Sequence, residues 1–410
     1  MDARAPAPRI PTLHWLRRPL LAHPSTVFVG VWAVTLALAS WGWIPAFAQY
    51  TPTALLVGGL LIVANLLGAL LASLIGRRPR RTNASRLVYR GRDSLLGLWA
   101  AISMIEIALA GGLPILWLVT GSGRTYEDFG IPTIHGFANA MWLFLAFTQC
   151  LRVFDAERTR RDVLLAIALL AWPVLVVSRA LFTILLLQIV FFYLLTTPRP
   201  MRSIITRLTL LAIGFAIVFG YAGDVRAPEF SIVEALGFDA DEIRFAALLW
   251  IYSYVVSPVA TLALNWQSSV PSFALLPSNT LANLLPSVIR SALGMETGFE
   301  GYLGSLAHDA FNVSTAFLAP YLDWGPAGML AMAFAIGLAG HLAWRATLRS
   351  ALKLPLLCAF DAFVALTIFT NQFTQLTPLL LLALLTYLAR RPRLRRSTSR
   401  GTATSNLETA

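Results

Sequence analysis

Two neighbouring polar residues, His308 and Asp309, come just before an apolar stretch and are followed closely by Asn312. An imidazole or a carboxylate at such a place is a hydrogen-bond acceptor that can take the proton of an attacking hydroxyl group, as a general base does. The same residues can instead cap a helix, with Asp309 or Asn312 accepting from free backbone N–H groups. Both interpretations stay open, so His308 and Asp309 are candidate catalytic residues.

A second set of candidates consists of arginines that stand apart from the arginine clusters of this chain. A guanidinium group can pair with two phosphate oxygens at once, so these arginines predict binding to the phosphate of a membrane-anchored substrate. Arg179, beside an apolar run, can alternatively extend its charge to the lipid headgroups. Arg124 is close to two acids and can form a salt bridge within its loop. The candidates are Arg124, Arg179, Arg226 and Arg290, and the two acids are Glu127 and Asp128.

Glu106 lies near the middle of an apolar run, where an ionised carboxylate is most costly in a membrane. We expect this side chain to be protonated, or hydrogen-bonded to a polar neighbour such as Asn139. A proton relay is the alternative, but no second acid or histidine is expected at the same depth. The sequence therefore favours a structural role for Glu106.

The acids of Asp239-Ala-Asp241-Glu242 have the spacing of an Asp-x-Asp metal site. Three acids within four residues are more typical of a solvated loop, because carboxylates are favourably hydrated and a divalent cation needs further oxygen ligands. We favour the loop and predict no metal site in this protein.

Ten apolar runs must position these residues. A helix rises about 1.5 Å per residue, so about 20 apolar residues cross a bilayer. The chain is 57% hydrophobic and 13% charged, which is typical of a membrane protein. We predict an all-α, polytopic membrane protein with spans at 26–46, 53–75, 94–119, 133–151, 163–178, 180–197, 208–222, 326–344, 354–371 and 374–389.

The basic residues indicate the orientation of these spans. Of the 32 Lys and Arg residues, 27 lie in the N-terminal segment, in every second connection between spans, or in the C-terminal tail. Ten spans would place all of these parts on the same side of the membrane. The positive-inside rule assigns that side, with both termini, to the cytoplasm. We predict a cytoplasmic segment at 1–25 with an interfacial helix, one transmembrane domain at 26–389, and a basic, disordered cytoplasmic tail at 390–410.

One long external segment, 223–325, remains between the spans. Residues 246–264 within it are apolar enough to enter the membrane. A full crossing would invert everything downstream, against the charge pattern, so we expect a re-entrant helix or one lying in the outer leaflet. Irregular backbone at membrane depth is tolerated only where it is buried in protein or lines a cavity. We therefore predict a cavity at the external membrane face.

Several function classes are disfavoured. The sequence has no Gly-x4-Gly-Lys-Ser/Thr phosphate loop, so ATP is not expected to be the direct fuel. The net charge of +12 comes from short arginine clusters between apolar runs, without the aromatic-interleaved basic surface of a nucleic-acid-binding protein. Cys150 and Cys358 both lie in apolar runs and provide neither a disulfide framework nor a metal cluster.

Three stretches together are similar to a known family. The first stretch consists of Gly111–Pro114, Tyr126–Pro132 and the pair His135-Gly136. The second is Phe311–Gly325, which runs into a glycine-rich helix, and the third is Ser178-Arg179, which precedes an apolar helix. These stretches resemble the Wzy-type O-antigen polymerases, which join oligosaccharide repeat units. The similarity extends over most of the chain from the third span onward. Trp324 departs from it, because a phenylalanine is expected between the acid and the glycine.

The resemblance implies an inner-membrane glycosyltransferase of the lipopolysaccharide pathway, with a GT-C-like architecture shared with the ligases. Its substrate would be an undecaprenyl diphosphate-linked oligosaccharide on the periplasmic face. The diphosphate is already a good leaving group, so neither a cofactor nor a metal is expected. A chain-length regulator and a flippase are candidate partners besides the membrane lipids, and nucleic acid is not.

Such an enzyme needs cations against the pyrophosphate, a base for the acceptor hydroxyl and a groove for the polymer. The arginines fit the first need, and His308 or Asp309, or else Glu127 or Asp128, fit the second. Aromatic rings can stack on sugars, although aromatic residues also collect at membrane interfaces. The candidate sugar-contacting residues are Tyr252, Tyr254, Trp266, Tyr302 and Asn312.

Two other functions stay open. An O-antigen ligase has the same architecture and donor but transfers the polymer to the lipid A core. A flippase or secondary transporter of lipid-linked sugars would move the same substrate without forming a glycosidic bond.

Overall fold

The computed structural model describes residues 23–75, 88–89, 92–154, 158–197, 199–226, 232–238, 246–273, 275–294, 304–387 and 389–390. The predicted N-terminal interfacial helix, the Asp239–Glu242 acids and almost all of the predicted tail lie outside these residues. The helices are α1 (Pro24–Trp41), α2 (Pro45–Ala48), α3 (Thr51–Ile75), α4 (Arg92–Ala110), α5 (Pro114–Thr120), α6 (Ile134–Val153), α7 (Arg160–Leu175), α8 (Arg179–Thr196), α9 (Met201–Arg226), α10 (Ile232–Ala235), α11 (Ala246–Ser268), α12 (Ser278–Leu281), α13 (Ser287–Ala292), α14 (Leu318–Arg349), α15 (Leu354–Ala365) and α16 (Leu376–Tyr387). Strands β1 (Val88–Tyr89) and β2 (Ala389–Arg390) form a short antiparallel pair.

All ten predicted apolar runs lie on helices. In the described part of the chain, seven stretches are long and apolar enough, by length and composition, to cross a membrane. They are α1, α3, α4 with α5, α6, α8, α11 and α14. The chain is therefore a predominantly helical, polytopic membrane protein, and the total of ten spans stays a prediction.

Helices α3 and α14 run in the same direction and pack closely through glycines. A Cβ on Gly68 would collide with the carbonyl of Phe334, and a Cβ on Gly337 with the carbonyl of Asn65. The side-chain amide of Asn65 donates to the carbonyl of Ala333 at 3.2 Å. Small residues let membrane helices approach at backbone distance, where dispersion and polar contacts stabilise the pair.

Helix α15 is the centre of the bundle, because ten of its twelve residues are buried. A helix that is apolar all round can be surrounded by other helices or by lipid, and here it is surrounded by helices. Helices α1, α8, α14 and α16 pack against α15. The buried core around them includes Trp142, Phe144, Phe147 and Phe363.

Helix α1 ends at Trp41 and helix α3 begins at Thr51, and we call this end of the bundle the Trp41 end. Helix α11 crosses over it. Near its start, the Tyr252 hydroxyl donates to the Leu38 carbonyl at 3.0 Å and accepts from Trp43 N–H at 3.1 Å. Near its finish, Gln267 donates to the hydroxyl of Thr53 at 2.6 Å. These attachment points are fifteen residues, or about 22 Å, apart on α11, yet both lie at the Trp41 end.

The segment 311–324 enters the bundle and leaves it at the same end. Phe311 packs against Phe47, beyond the Trp41 end, with ring centroids 6.1 Å apart. Phe317 then reaches the middle of α1, where its ring is 5.5 Å from that of Trp32. The first turns of α14 lead back, and the hydroxyl of Tyr321 donates to the Trp266 carbonyl at 3.3 Å.

Helix α14 is kinked where this returning segment meets its long half. Gly325 has φ +62° and ψ −151°, a combination that is open to glycine and strained for other residues. A Cβ there would also lie 3.2 Å from Pro271. The glycine therefore lets the chain turn into the long half of α14 beneath the 271–273 loop.

Candidate functional site

A tight turn places Arg179 at the start of α8. The turn contains Val177 at φ +53°, an unusual conformation for a β-branched residue. Ser178 then caps the helix, its hydroxyl accepting from the N–H of Leu181 at 3.4 Å. The guanidinium carbon of Arg179 lies 5.8 Å from the ring centroid of Tyr254 on α11. This cation–π contact joins α8 to the helix that crosses the Trp41 end.

Tyr254 continues this contact toward the predicted base. Its ring centroid is 5.6 Å from that of Phe311, and Phe311 is 5.9 Å from the imidazole of His308. Three residues predicted for the site, Arg179, Tyr254 and His308, thus lie along one path of side-chain contacts. We call this arrangement the Arg179–His308 face.

The predicted bases differ in their surroundings. Nδ1 of His308 accepts from the N–H of Ala310 at 3.1 Å, so the neutral ring carries its proton on Nε2 and can donate from there. Asp309 and Asn312 are exposed next to it. An exposed carboxylate can accept a proton, whereas His308 in this tautomer is a hydrogen-bond donor.

A row of buried polar side chains on α11 holds the loop that carries His308. These residues are Ser253, Ser257, Thr261 and Asn265, four residues apart and therefore on one helix face. Asn265 accepts from Ser305 N–H at 3.0 Å and donates to the Ser305 carbonyl at 2.7 Å. Thr261 accepts from Ala307 N–H at 3.2 Å. The described structure gives the hydroxyls of Ser253 and Ser257 no hydrogen-bond partner.

Among the described residues, no contact joins Arg290 or Arg124 to this face. Arg290 is half-buried on α13, and its Nε has no hydrogen-bond partner among the described residues. Arg124 is exposed, donates to the carbonyl of Ala110 at 2.7 Å and lies 5.5 Å from the ring of Trp117. Arg226 ends α9, and its side chain lies outside the described part. Arg124 thus serves to tie its loop to the end of α4.

The acids near Arg124 also have local roles. Asp128 accepts from the N–H of Thr125 at 2.8 Å, which stabilises the short 3-10 turn Tyr126–Asp128. Glu127 lies in the same turn, and its side chain is outside the described part. Arg124 contacts Ala110 and Trp117, and because the side chain of Glu127 is outside the described part, the loop salt bridge with Glu127 stays a prediction.

Of the predicted sugar-contacting residues, some have structural contacts and one lies beside Arg179. Tyr252 is 5% exposed and its hydroxyl is used twice, so it holds α11 to the Trp41 end. Trp266 is half-buried and stacked on Tyr321 with centroids 5.6 Å apart. Tyr302 lies outside the described residues. Tyr254 is therefore the aromatic residue that the structure places beside Arg179.

Glu106 has partners other than the predicted Asn139. Its carboxylate accepts from the N–H of Ile131 at 3.1 Å and faces Nδ1 of His135 at the same distance. A histidine thus lies at the depth of Glu106, contrary to the expectation from sequence. Gly130 makes room for it, since a Cβ there, already strained at φ +103°, would lie 2.5 Å from the His135 ring.

Two further acids are buried in the structure, although neither was a candidate site residue from the sequence. Asp323 is fully buried and accepts from Asn279 N–H, the Asn279 side chain and Thr280 N–H. Asp361, in the centre of α15, is also fully buried, and the described structure gives neither carboxylate oxygen a partner. The sequence signal for Asp361 was an acid inside an apolar run, as for Glu106.

Within the described residues, no group of three or more His, Cys, Asp or Glu side chains is placed to hold a metal ion. The Arg179–His308 face instead offers a cation, an aromatic ring, an imidazole and an exposed carboxylate. These groups can bind a phosphate, contact a sugar and accept a hydroxyl proton. No protein-family model, no curated protein and no solved structure matches this chain.

Proposed function

We propose that this protein is a glycosyltransferase that polymerises undecaprenyl diphosphate-linked oligosaccharide repeat units at the Trp41 end of the bundle. The observation that carries the proposal is the Arg179–His308 face, in which contacts through Tyr254 and Phe311 connect a cation to His308, the neighbour of the candidate base Asp309. Arg179 is also the first residue of α8, where the helix dipole adds to its attraction for a phosphate. This pairing suits a lipid diphosphate donor and a sugar acceptor.

In the proposed reaction, a hydroxyl oxygen of the acceptor sugar attacks the anomeric carbon of the donor. The bond between that carbon and the diphosphate oxygen breaks, and undecaprenyl diphosphate leaves with the bonding electron pair. Asp309 takes the hydroxyl proton, while Nε2–H of His308 donates to substrate oxygens. Arg179 and Arg290 stabilise the charge that develops on the leaving diphosphate.

The path of the chain supports a cavity at this face. Helix α11 is attached at both ends to the Trp41 end, which favours a helix lying across the membrane surface over a full crossing. Segment 311–324 is the stronger candidate for a re-entrant element, because Phe317 reaches the middle of α1. Together they support a GT-C-like frame. We propose that it lies in the bacterial inner membrane, as the resemblance implies, with the Trp41 end periplasmic and both termini cytoplasmic, as the charge pattern predicts.

The direct test is to supply the purified, reconstituted protein with lipid-linked repeats alone and separate the products by size. We expect a ladder of longer chains. Product that forms only after a lipid A core is added would favour a ligase. Movement of the lipid-linked sugar across the membrane without any new glycosidic bond would refute both transferase functions.

Variants of Arg179 and Asp309, and of the separately predicted Arg290, then test the assignment of residues. We expect Arg179→Ala and Arg290→Ala to lose elongation by about 100-fold or more, since a lost charge contact in the transition state costs about 3 kcal/mol. Asp309→Asn should lose it similarly. Arg207→Ala is the matched control, because Arg207 is an exposed arginine at the other end of the bundle. Equal elongation by Arg179→Ala and Arg207→Ala would remove Arg179 from the site.

A transporter is the second candidate, and Asp361 is the observation that favours it. It lies on α15, which packs against α8, and on α8 the amide of Gln188 is likewise buried without a partner in the described structure. Ionisable groups inside a membrane often belong to proton or ion pathways. Under this function Asp361→Asn would abolish proton-dependent transport of the lipid-linked sugar. Under the polymerase function it would leave the product ladder intact.

A further inference from the structure

A groove opens at the opposite end of the bundle, between α1, α3 and α14. Its volume is about 440 Å³. One part is apolar, formed by Val29, Leu66 and Ala69, and the other part is formed by polar side chains at the start of α1 and by Trp344. Leu66 is 47% exposed, so the groove opens sideways onto the apolar surface that the helices present to a membrane.

Two hydrogen-bond donors in the polar part have no acceptor among the described residues. Ser25 is only 3% exposed, and its hydroxyl makes no hydrogen bond there. The indole N–H of Trp344 is buried and likewise makes none. A buried donor without an acceptor is costly, so both side chains favour a ligand that brings acceptor oxygens.

A pair of histidines sets the remaining polar wall. Nδ1 of His23 accepts from the N–H of Ser25 at 3.1 Å, so its Nε2–H donates to Nδ1 of His341 at 2.9 Å. The ring of His23 also meets the edge of Trp344, with centroids 5.2 Å apart. Both ring nitrogens of His23 are used in these bonds, which leaves the Ser25 hydroxyl and the Trp344 indole for a ligand.

The charge at this end is positive. Helix α14 ends with Arg345 and Arg349, and Lys353 follows. Arg345 donates to the carbonyl of Ala72 at 3.3 Å, one turn beyond Ala69 on α3. A negatively charged headgroup beside the groove is therefore favoured over a neutral one.

We propose that this groove binds one anionic glycerophospholipid. Its phosphate and ester oxygens accept from Ser25 and Trp344, and one acyl chain lies along Val29, Leu66 and Ala69. The proposal is independent of the transferase function, because the groove lies at the end of the bundle away from the Arg179–His308 face. The lipid would fill the space between α1 and α3 and fasten α1 to α14.

The test uses the full-length protein, stripped of lipid in detergent and titrated with phosphatidylglycerol or phosphatidylethanolamine of identical acyl chains. Native mass spectrometry counts the lipids retained. We expect one phosphatidylglycerol to be retained most strongly. The double variant Ser25→Ala, Trp344→Phe should weaken that retention by about 10-fold or more, since two hydrogen bonds are lost.

A matched control is Ser40→Ala, Trp41→Phe, since both residues are exposed at the opposite end of α1. A separate variant, Val29→Trp, fills the apolar part without touching either donor and should also reduce retention. A photoreactive acyl chain on phosphatidylglycerol should label peptides containing 24–30 and 66–69. The proposal would be overturned by equal lipid retention in the double variant and the control. Equal retention of the two lipids, or labelling of other peptides only, would also overturn it.

Discussion

Replacing Asp323 should release the 275–284 segment from α14 without unfolding the bundle. The carboxylate accepts from Asn279 N–H at 3.0 Å, from the Asn279 amide at 2.8 Å and from Thr280 N–H at 2.7 Å. It is fully buried and joins the start of α12 to the first turns of α14. These three bonds are the main polar attachment that the described structure shows between the two elements.

The size of the effect follows from these bonds. A hydrogen bond to a charged group contributes about 1.5 kcal/mol or more, so Asp323→Ala should weaken the attachment by about 4 to 5 kcal/mol. Asp323→Asn keeps one acceptor oxygen, which can still serve Asn279. Its new NH₂ group faces the N–H of Thr280, so this variant should lose about 2 kcal/mol.

Hydrogen exchange of the backbone amides measures this directly. A loss of about 2 kcal/mol corresponds to about 30-fold faster exchange, which we expect at Asn279 and Thr280 in Asp323→Asn. Asp309→Asn removes a charge from an exposed carboxylate that makes none of these three bonds and should leave both amides unchanged. Unchanged protection of Thr280 in Asp323→Asn would refute the role assigned to Asp323.

Two further effects are expected on stability. Gly130→Ala should lower the unfolding temperature in detergent, because the new Cβ would lie 2.5 Å from the His135 ring and φ is +103°. Gly59→Ala is the control and should not lower it, because the space around Gly59 is open. Equal unfolding temperatures of the two variants would contradict this packing. Burial, followed by the neighbouring His341, lowers the pKa of His23 from 6.5 to about 4. The unfolded chain then binds a proton first as the pH falls, so stability present above pH 6.5 should decline progressively toward pH 4. This decline should be smaller in His23→Gln, and an unchanged pH profile in that variant would assign it to other groups.

The helices were predictable because each apolar run must satisfy its backbone internally, and the ten runs are long enough to show it. The surroundings of Glu106 were not. Ile131 and His135 are 25 and 29 residues from Glu106 in sequence, and nothing in the spacing shows that the chain brings them onto the carboxylate. Only a tertiary contact that depends on Gly130 determines that partner.

The candidate site shows the same division. Arg179 and His308 were identifiable by residue type and position. Arg179 stands apart from the arginine clusters of this chain, and His308 comes just before an apolar stretch. That contacts through Tyr254 and Phe311 connect the two residues depends on where α11 lies. A period of four in Ser253, Ser257, Thr261 and Asn265 indicates one polar helix face, but it does not show which loop that face would bind.

The use of this polar face connects the fold to the proposed chemistry. Thr261 and Asn265 bind the backbone of the loop that carries His308, so that loop is positioned by α11. The same helix presents Tyr254 to Arg179. One element therefore sets the spacing between Arg179, the proposed phosphate-binding cation, and the loop that carries the candidate base. A substrate that joins a diphosphate to a sugar requires such a fixed spacing, because its two ends must be held together while the bond between them breaks.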